Sequence, residues 1–179
     1  PNSVTKLGGQ AFYDCSSLTK VNIGSGISDL PYFVFGHCTS LKQVHFPENL
    51  KTVGDDAFYY CYELETIDLP DSVTSIGNWS FSSCQSLKDF KFPVSLKTIG
   101  DSAFSSCTNL KSLEIPVSIQ RIGSYAFGYC NNLVISVPTS ITDIGTGAFS
   151  VCKEVIFNNT NPDNDFIIQN GVLIRYLGT

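Results

Sequence analysis

The 179-residue chain contains no methionine, a single tryptophan and only two histidines, His37 and His45. Its eleven Lys and Arg face sixteen Asp and Glu, the formal net charge is −5, and the basic residues form no cluster. A protein that binds nucleic acid needs a basic face to displace the counterions of the phosphates, and an anionic membrane attracts the same kind of face. The sequence therefore predicts no nucleic-acid partner and no attachment to an acidic membrane surface.

Long hydrophobic runs are also missing. No apolar stretch approaches the roughly 20 residues needed to span a bilayer, and no signal-peptide pattern opens the chain. The composition, 42% hydrophobic and 15% charged, nevertheless suits a folded unit rather than a disordered one. We expect no membrane insertion of this stretch and, because position 1 is not methionine, we expect it to be part of a longer protein.

What the chain does contain is a repeat. Phenylalanine recurs in steps of 23 residues, with a last step of 22, and a cysteine follows each phenylalanine by three residues. Self-similarity at one fixed period of this length is the signature of a solenoid. The two columns are Phe12, Phe35, Phe58, Phe81, Phe104, Phe127 and Phe149, and Cys15, Cys38, Cys61, Cys84, Cys107, Cys130 and Cys152.

Each repeat predicts the same order of local structures. In "LKSLEIP", Leu113 and Ile115 have the two-residue spacing that points both side chains to one face of a strand, and Pro116 ends that strand. "SIQRIG" reads as an extended segment with a glycine that permits a sharp turn, and "SYAFGYC" as a short helical turn. The residue after the glycine is predicted to cap that turn by accepting a hydrogen bond from an N–H two or three residues on. These residues are Asp55, Asn78, Asp101, Ser124 and Thr146.

"SIGNWSFSSCQSLKDFKFP" and "TIGDSAFSSCTNLKSLEIP" resemble the BspA-type, or Treponema-type, leucine-rich repeat family. The resemblance covers residues 1–157 and implies a curved solenoid of about seven 22–23-residue repeats. We expect a parallel β-sheet on one face, with short extended segments and helical turns on the other. Residues 158–179 are expected to form an irregular segment and a β-hairpin that leads into further repeats, since Asn170-Gly171 lies between two β-rich runs.

The cysteine column admits four interpretations. Nucleophiles need a neighbouring base, and zinc ligands need spacings such as C-x-x-C that this sequence lacks. Seven cysteines cannot all pair. Neighbouring repeats (rungs) of the solenoid stack about 4.8 Å apart, which separates their cysteines too far for the preferred disulfide geometry. We therefore predict a buried stack of small apolar thiols beside the phenylalanines.

The outward face of the parallel sheet is the candidate partner-binding surface. Two columns of residues point outward from the strands and, unlike the inward columns, do not repeat. Variation of this kind is expected of a binding surface. It is equally expected of a surface whose side chains are not constrained by packing, so both interpretations stay open. The first column is Asn22, His45, Asp68, Lys91, Glu114 and Ser136, and the second is Lys20, Gln43, Thr66, Asp89, Ser112 and Val134.

Exposed aromatic residues near the turns form a further candidate, either as an adhesive patch or as packing between repeats. They are Tyr13, Tyr59, Tyr60, Tyr62, Tyr125, Tyr129 and Trp79.

No catalytic residues, cofactor or metal site are predicted, and we expect a non-enzymatic protein. The family resemblance implies a cell-surface or secreted protein, usually bacterial, that adheres to a host or bacterial surface protein or glycan. The alternative is a structural spacer with no binding activity of its own.

Overall fold

The computed structural model describes residues 2–158, 166–169 and 172–176. The strand after each cysteine contributes to a first parallel sheet, which we call the first sheet. Its strands pair in register as β1–β3, β5–β7 and β9–β11–β13, with β3 beside β5 and β7 beside β9. They are β1 (Lys20–Asn22), β3 (Gln43–His45), β5 (Thr66–Ile67), β7 (Asp89–Phe90), β9 (Ser112–Glu114), β11 (Val134–Pro138) and β13 (Glu154–Asn158).

The extended segments predicted on the opposite side form a second parallel sheet of six strands. A tight turn joins the two sheets within a repeat, as where the Leu96 N–H donates to the Pro93 carbonyl oxygen at 3.1 Å. The chain therefore coils with one turn of the solenoid per repeat. The strands are β2 (Asp29–Leu30), β4 (Thr52–Val53), β6 (Ser75–Ile76), β8 (Thr98–Ile99), β10 (Arg121–Ile122) and β12 (Asp143–Ile144).

The segment that runs from the glycine to just past the cysteine, which we call the turn segment, is not helical. The part of the chain that the structure describes contains no α-helix. Alternate N–H groups of this segment donate instead to the next repeat, as Phe104 does to the Ala126 carbonyl at 2.7 Å. The N–H groups between them close tight turns within the repeat, as Ser105 does onto Ser102 at 3.0 Å. Because this alternation leaves no N–H series for i to i−4 bonds, the helical turn expected from the sequence does not form.

Two residues of each turn segment have a left-handed backbone. Their φ angles lie between 49° and 64° at thirteen residues other than glycine, a conformation that is uncommon for bulky side chains. These residues form two columns along the solenoid. One is Gln10, Phe33, Asp56, Trp79, Ser102, Tyr125 and Gly147, and the other is Asp14, His37, Tyr60, Ser83, Ser106, Tyr129 and Val151.

The polar residue after the glycine links neighbouring repeats rather than capping its own turn. The Asp101 N–H donates to the Asn78 side-chain oxygen at 2.8 Å, and the Ser124 N–H donates to the Asp101 carboxylate at 2.8 Å. The local cap predicted at Asp55, Asn78 and Asp101 is therefore wrong. The glycine before it is needed for close approach of the repeats, since a Cβ at Gly100 would lie 2.6 Å from the backbone nitrogen of Asn78.

The core is a set of columns that run along the solenoid axis. Seven phenylalanine rings stack face to face from Phe12 to Phe149, with centroids 5.2–5.9 Å apart and planes within 19° of parallel. The five central rings, from Phe35 to Phe127, are completely buried. The inward positions predicted from the repeat, such as Leu113, Ile115 and Ile122, are buried beside them.

The C-terminal β-rich runs form an antiparallel pair, as predicted. The strands are β14 (Phe166–Gln169) and β15 (Val172–Tyr176), and their register shifts between Ile167 and Ile168. The turn residues Asn170 and Gly171 lie outside the described residues. The division of the chain at residue 157 stays a prediction.

Candidate functional site

The outward side of the first sheet, here called the sheet face, carries the residues predicted to bind a partner. All nine lie exposed, in two columns set by the strand register. For example, Asn22 is paired with His45, and Thr66 with Asp89. At β11, the sixth strand of the first sheet, the face becomes less open, because Val134 and Ser136 are half-buried. The nine residues are Asn22, His45, Asp68, Lys91 and Glu114 in one column and Gln43, Thr66, Asp89 and Ser112 in the other.

The sheet face has mixed charge, and two ion pairs lie along its border. Lys88 Nζ lies 2.9 Å from Glu65 on the preceding rung, and Lys42 Nζ lies 3.2 Å from Glu63. The hydrogen bond and charge of Lys88 hold the pKa of the Glu65 carboxyl below its usual range. No ion pair among residues 2–157 includes Lys91. Among the described side chains, the charged residues of the sheet face itself, Asp68, Asp89, Lys91 and Glu114, are in no ion pair.

The cysteine column is buried from Cys38 to Cys130, whereas Cys152 is half-buried and Cys15 is exposed, so the predicted burial is wrong at Cys15. All seven cysteines are free, and those from Cys38 to Cys130 have no exposed surface. Burial raises the pKa of the Cys107 thiol well above its ordinary value and that of Cys130 to about 12. Since the thiolate is the nucleophile and the metal ligand, such thiols are chemically inert.

Six of the seven thiols, from Cys38 to Cys152, also donate a hydrogen bond that the sequence analysis missed. Cys107 Sγ donates to the Phe81 carbonyl oxygen at 3.1 Å, and Cys130 Sγ donates to that of Phe104 at 3.1 Å. The same geometry recurs at distances of 3.0–3.3 Å from Cys38 to Cys152. The recurrence of Phe and Cys in one fixed register is the signal that could have indicated this contact.

The aromatic side chains of the turn segments meet one another on the edge of the solenoid. The His37 ring lies among Tyr13, Tyr59 and Tyr60, with centroids 5.2, 5.6 and 4.9 Å away. Tyr59 and Tyr60 stack at 4.0 Å. The rings pack between repeats, which is one of the two predicted roles, while Tyr13, Tyr62 and Trp79 stay exposed. The adhesive role stays a prediction.

Two other kinds of site were sought in the described residues. These residues contain no group of three or more His, Cys, Asp or Glu side chains placed to hold a metal ion. They also contain no helix with the length and apolar character needed to cross a bilayer.

Repeats of this length, stacked through a parallel sheet with a buried ring and thiol column, define a leucine-rich repeat solenoid. The family model of the BspA type leucine-rich repeat region matches residues 1–88 and 51–171 with six copies. The chain belongs to this family.

Solved bacterial structures share the fold. The leucine-rich repeat protein of T. pallidum is 32% identical, with a TM-score of 0.77, over 87% of this chain and 75% of that one. A leucine-rich repeat protein of Bacteroides ovatus is 28% identical, with a TM-score of 0.64, over 83% of this chain and 45% of its own. A leucine-rich cell surface protein of Faecalibacterium prausnitzii is 26% identical, with a TM-score of 0.51, over 88% of this chain and 59% of its own. The chain therefore spans less than two thirds of the last two proteins. No curated protein sequence matches it at a significant level.

Proposed function

We propose that the chain is a non-enzymatic part of a surface or secreted protein, and that its sheet face binds a protein or glycan partner in adhesion. The observation that carries the proposal is the contrast between the two sides of the first sheet. Inward residues such as Leu113 repeat and are buried, whereas outward residues such as Glu114 vary and are exposed. The nine exposed outward side chains lie outside the buried core, so their identity is free to serve recognition.

The chemistry of the sheet face supports a polar partner. Four successive repeats present an imidazole, two carboxylates and an ammonium on this face, from His45, Asp68, Lys91 and Glu114. Rungs about 4.8 Å apart give a row roughly 15 Å long, which suits an extended peptide or a few sugar units. Side chains of both charges on one surface favour binding of a specific partner over non-specific adsorption.

The surface location is supported by the relatives. A similar protein from Faecalibacterium prausnitzii is described as a cell surface protein. Solenoids of this kind expose a large area per residue, which suits a protein that works by contact at the outside of a cell.

The test compares binding of three purified proteins to a panel of extracellular-matrix proteins and a glycan array. The first is the unaltered chain, and the second carries His45→Ala, Asp68→Ala, Lys91→Ala and Glu114→Ala. A control carries four exposed substitutions away from the sheet face, Glu48→Ala, Lys51→Ala, Lys97→Ala and Gln120→Ala. We expect at least one ligand whose affinity falls tenfold or more in the second protein and is unchanged in the control. The proposal fails if every ligand of the unaltered chain binds the second protein equally well. It also fails if nothing on the panel binds, which favours a spacer.

A further inference from the structure

The turn segments are segregated in charge from the rest of the chain. They comprise residues 8–17, 31–40, 54–63, 77–86, 100–109, 123–132 and 145–152, and none of the eleven Lys and Arg falls within them. Five carboxylates do: Asp14, Asp55, Asp56, Glu63 and Asp101. Lys42 and Arg121 approach Glu63 and Asp101 from outside the segments, at 3.2 and 3.9 Å. The carboxylates of Asp14, Asp55 and Asp56 have no such cation among the described residues.

The same edge is aromatic over the first four repeats. We call the surface formed by Tyr13, His37, Tyr59, Tyr60, Tyr62 and Trp79 the aromatic edge. Its rings are continuous, since Tyr60 stacks on Tyr62 at 5.5 Å and Tyr59 meets the edge of Trp79 at 6.3 Å. Exposed fractions of 43% at Tyr13, 38% at Tyr62 and 44% at Trp79 leave large ring areas open.

The fold does not require these aromatic rings. In repeats four and five the positions equivalent to Tyr59 and Tyr60 are serines, and the turn segment there has the same hydrogen bonds. Trp79 and Tyr60 moreover hold bulky side chains at φ angles of 54° and 60°, where small or glycine residues are favoured. The ring areas that packing between repeats leaves open at Tyr13, Tyr62 and Trp79 are therefore available to a ligand.

Acidic groups border the rings on the same rungs. Asp55 and Asp56 are adjacent in sequence, and partial burial together with the charge of Asp55 raises the pKa of the Asp56 carboxyl. The charge of Asp56 also contributes to raising the pKa of the Tyr59 phenol to about 12, after its hydrogen bond with Tyr60 and its burial. The Tyr59 N–H donates to the Asp56 carbonyl oxygen at 3.1 Å, and the Asp55 carboxylate accepts the N–H of Asn78, the residue before Trp79, at 2.7 Å. Both acidic residues therefore lie beside the rings, and a bound cation would relieve the repulsion between them.

We propose that the aromatic edge, with Asp55 and Asp56, binds a lysine- and arginine-rich segment of a partner protein. Ammonium and guanidinium groups are attracted both to the faces of exposed Tyr and Trp rings and to carboxylates that lack an ion-pair partner. A neutral glycan would gain binding free energy from the rings alone. It would leave the repulsion between the Asp55 and Asp56 carboxylates in place. This surface is distinct from the sheet face and does not depend on the function proposed for it.

The probe is a fluorescein-labelled hexa-arginine peptide, titrated by fluorescence anisotropy at 0.15 M salt. One variant carries Tyr60→Ser and Trp79→Ser, the residues that repeat five has at the same positions. A second carries Asp55→Asn and Asp56→Asn, in which the first change keeps the side-chain oxygen that Asn78 N–H uses at 2.7 Å. Two controls match them: Tyr125→Ser with Tyr129→Ser removes exposed rings from repeat six, and Asp89→Asn with Glu114→Gln removes two charges from the sheet face.

We expect the dissociation constant to rise at least tenfold in each of the first two variants and less than threefold in the two controls. Circular dichroism spectra that match those of the unaltered chain establish that the variants are folded. Equal loss of binding in the sheet-face control would mean that only net charge attracts the peptide, and the proposal would fail. It would also fail if the peptide did not bind, or if a neutral oligosaccharide bound the aromatic edge in its place.

Discussion

The Sγ atom of Cys107 lies 3.1 Å from the carbonyl oxygen of Phe81 and donates a hydrogen bond to it. The same oxygen accepts the N–H of Cys84 at 3.2 Å, so both of its lone pairs are used. The column of cysteines thus joins neighbouring repeats through their thiols, in addition to filling the space beside the rings.

Cysteine 107 is the site of the first prediction. Cys107→Ala removes the donor and some volume, and should lower the free energy of unfolding by about 1–2 kcal/mol. Cys107→Ser keeps a hydroxyl donor at the same place and should cost less than Cys107→Ala. Urea denaturation of the two variants measures both values. A serine variant that is less stable than the alanine variant would mean that only the apolar volume of the thiol matters.

Phenylalanine 104 is the site of the second prediction. Its ring is completely buried and stacks between Phe81 and Phe127 at 5.2 and 5.3 Å. Phe104→Ala should therefore cost about 3–5 kcal/mol through the lost contacts and the cavity. Hydrogen exchange should show the loss of protection spreading into the two neighbouring repeats. Damage limited to the substituted repeat would contradict the coupling between rungs.

Serine 80 is the site of the third prediction. Its hydroxyl is buried and has no hydrogen-bond partner among the described residues, while the equivalent positions hold Ala57, Ala103 and Ala126. A buried hydroxyl without a partner is destabilising, so Ser80→Ala should raise the free energy of unfolding by about 1 kcal/mol. Thermal denaturation followed by circular dichroism measures the change. A lower melting temperature would show that the hydroxyl is hydrogen-bonded.

The buried thiols make stability depend on alkaline pH. Burial raises the pKa of Cys38 from 9.0 to about 11 and that of Cys152 to about 12, and those of Cys84 and Cys107 rise well above 9.0. Because the unfolded thiols lose their protons first, the thiols' contribution to the free energy of unfolding should be constant below about pH 8 and fall as the pH rises above it. Each thiol contributes about 1.4 kcal/mol per pH unit to that slope.

The alkaline slope is measured by urea unfolding with a reductant at several values between pH 8 and 10.5. Cys107→Ala should make the slope shallower by about one proton. An unchanged slope in this variant would show that Cys107 ionises equally in both states.

The repeat made the equivalent positions of the fold predictable, because one period assigns every residue to a column. The phenylalanine stack, the inward Leu113 and the register of the outward columns all follow from it. The hydrogen-bond partners could not be predicted from the repeat. Asp101 has N–H groups within reach both in its own turn and on the next rung, about 4.8 Å away, and a sequence pattern fits either choice. The structure takes the second, with Ser124 as donor.

The turn segment was mispredicted because the sequence does not show whether its N–H groups bond within the repeat or to the next repeat. Its small and aromatic residues suit a helical turn, but bonds such as Phe104 N–H to Ala126 link it to the next repeat. The aromatic edge is a different case, since the sequence showed the clustering of Tyr59 and Tyr60 but not their contacts with His37. Those contacts join residues 22 and 23 positions apart in the chain, and only the stacking of repeats brings them together.

The central claim is that the exposed outward side chains of the first sheet, such as His45, Asp68, Lys91 and Glu114, are not needed to hold the solenoid together. It is tested most directly by the free energy of unfolding of the protein that carries His45→Ala, Asp68→Ala, Lys91→Ala and Glu114→Ala. Each exposed substitution should change stability by about 0.5 kcal/mol or less, so the four together should cost less than about 2 kcal/mol. A loss of more than about 3 kcal/mol, comparable with that of a single buried phenylalanine, would show that these side chains hold the solenoid together and would contradict the account.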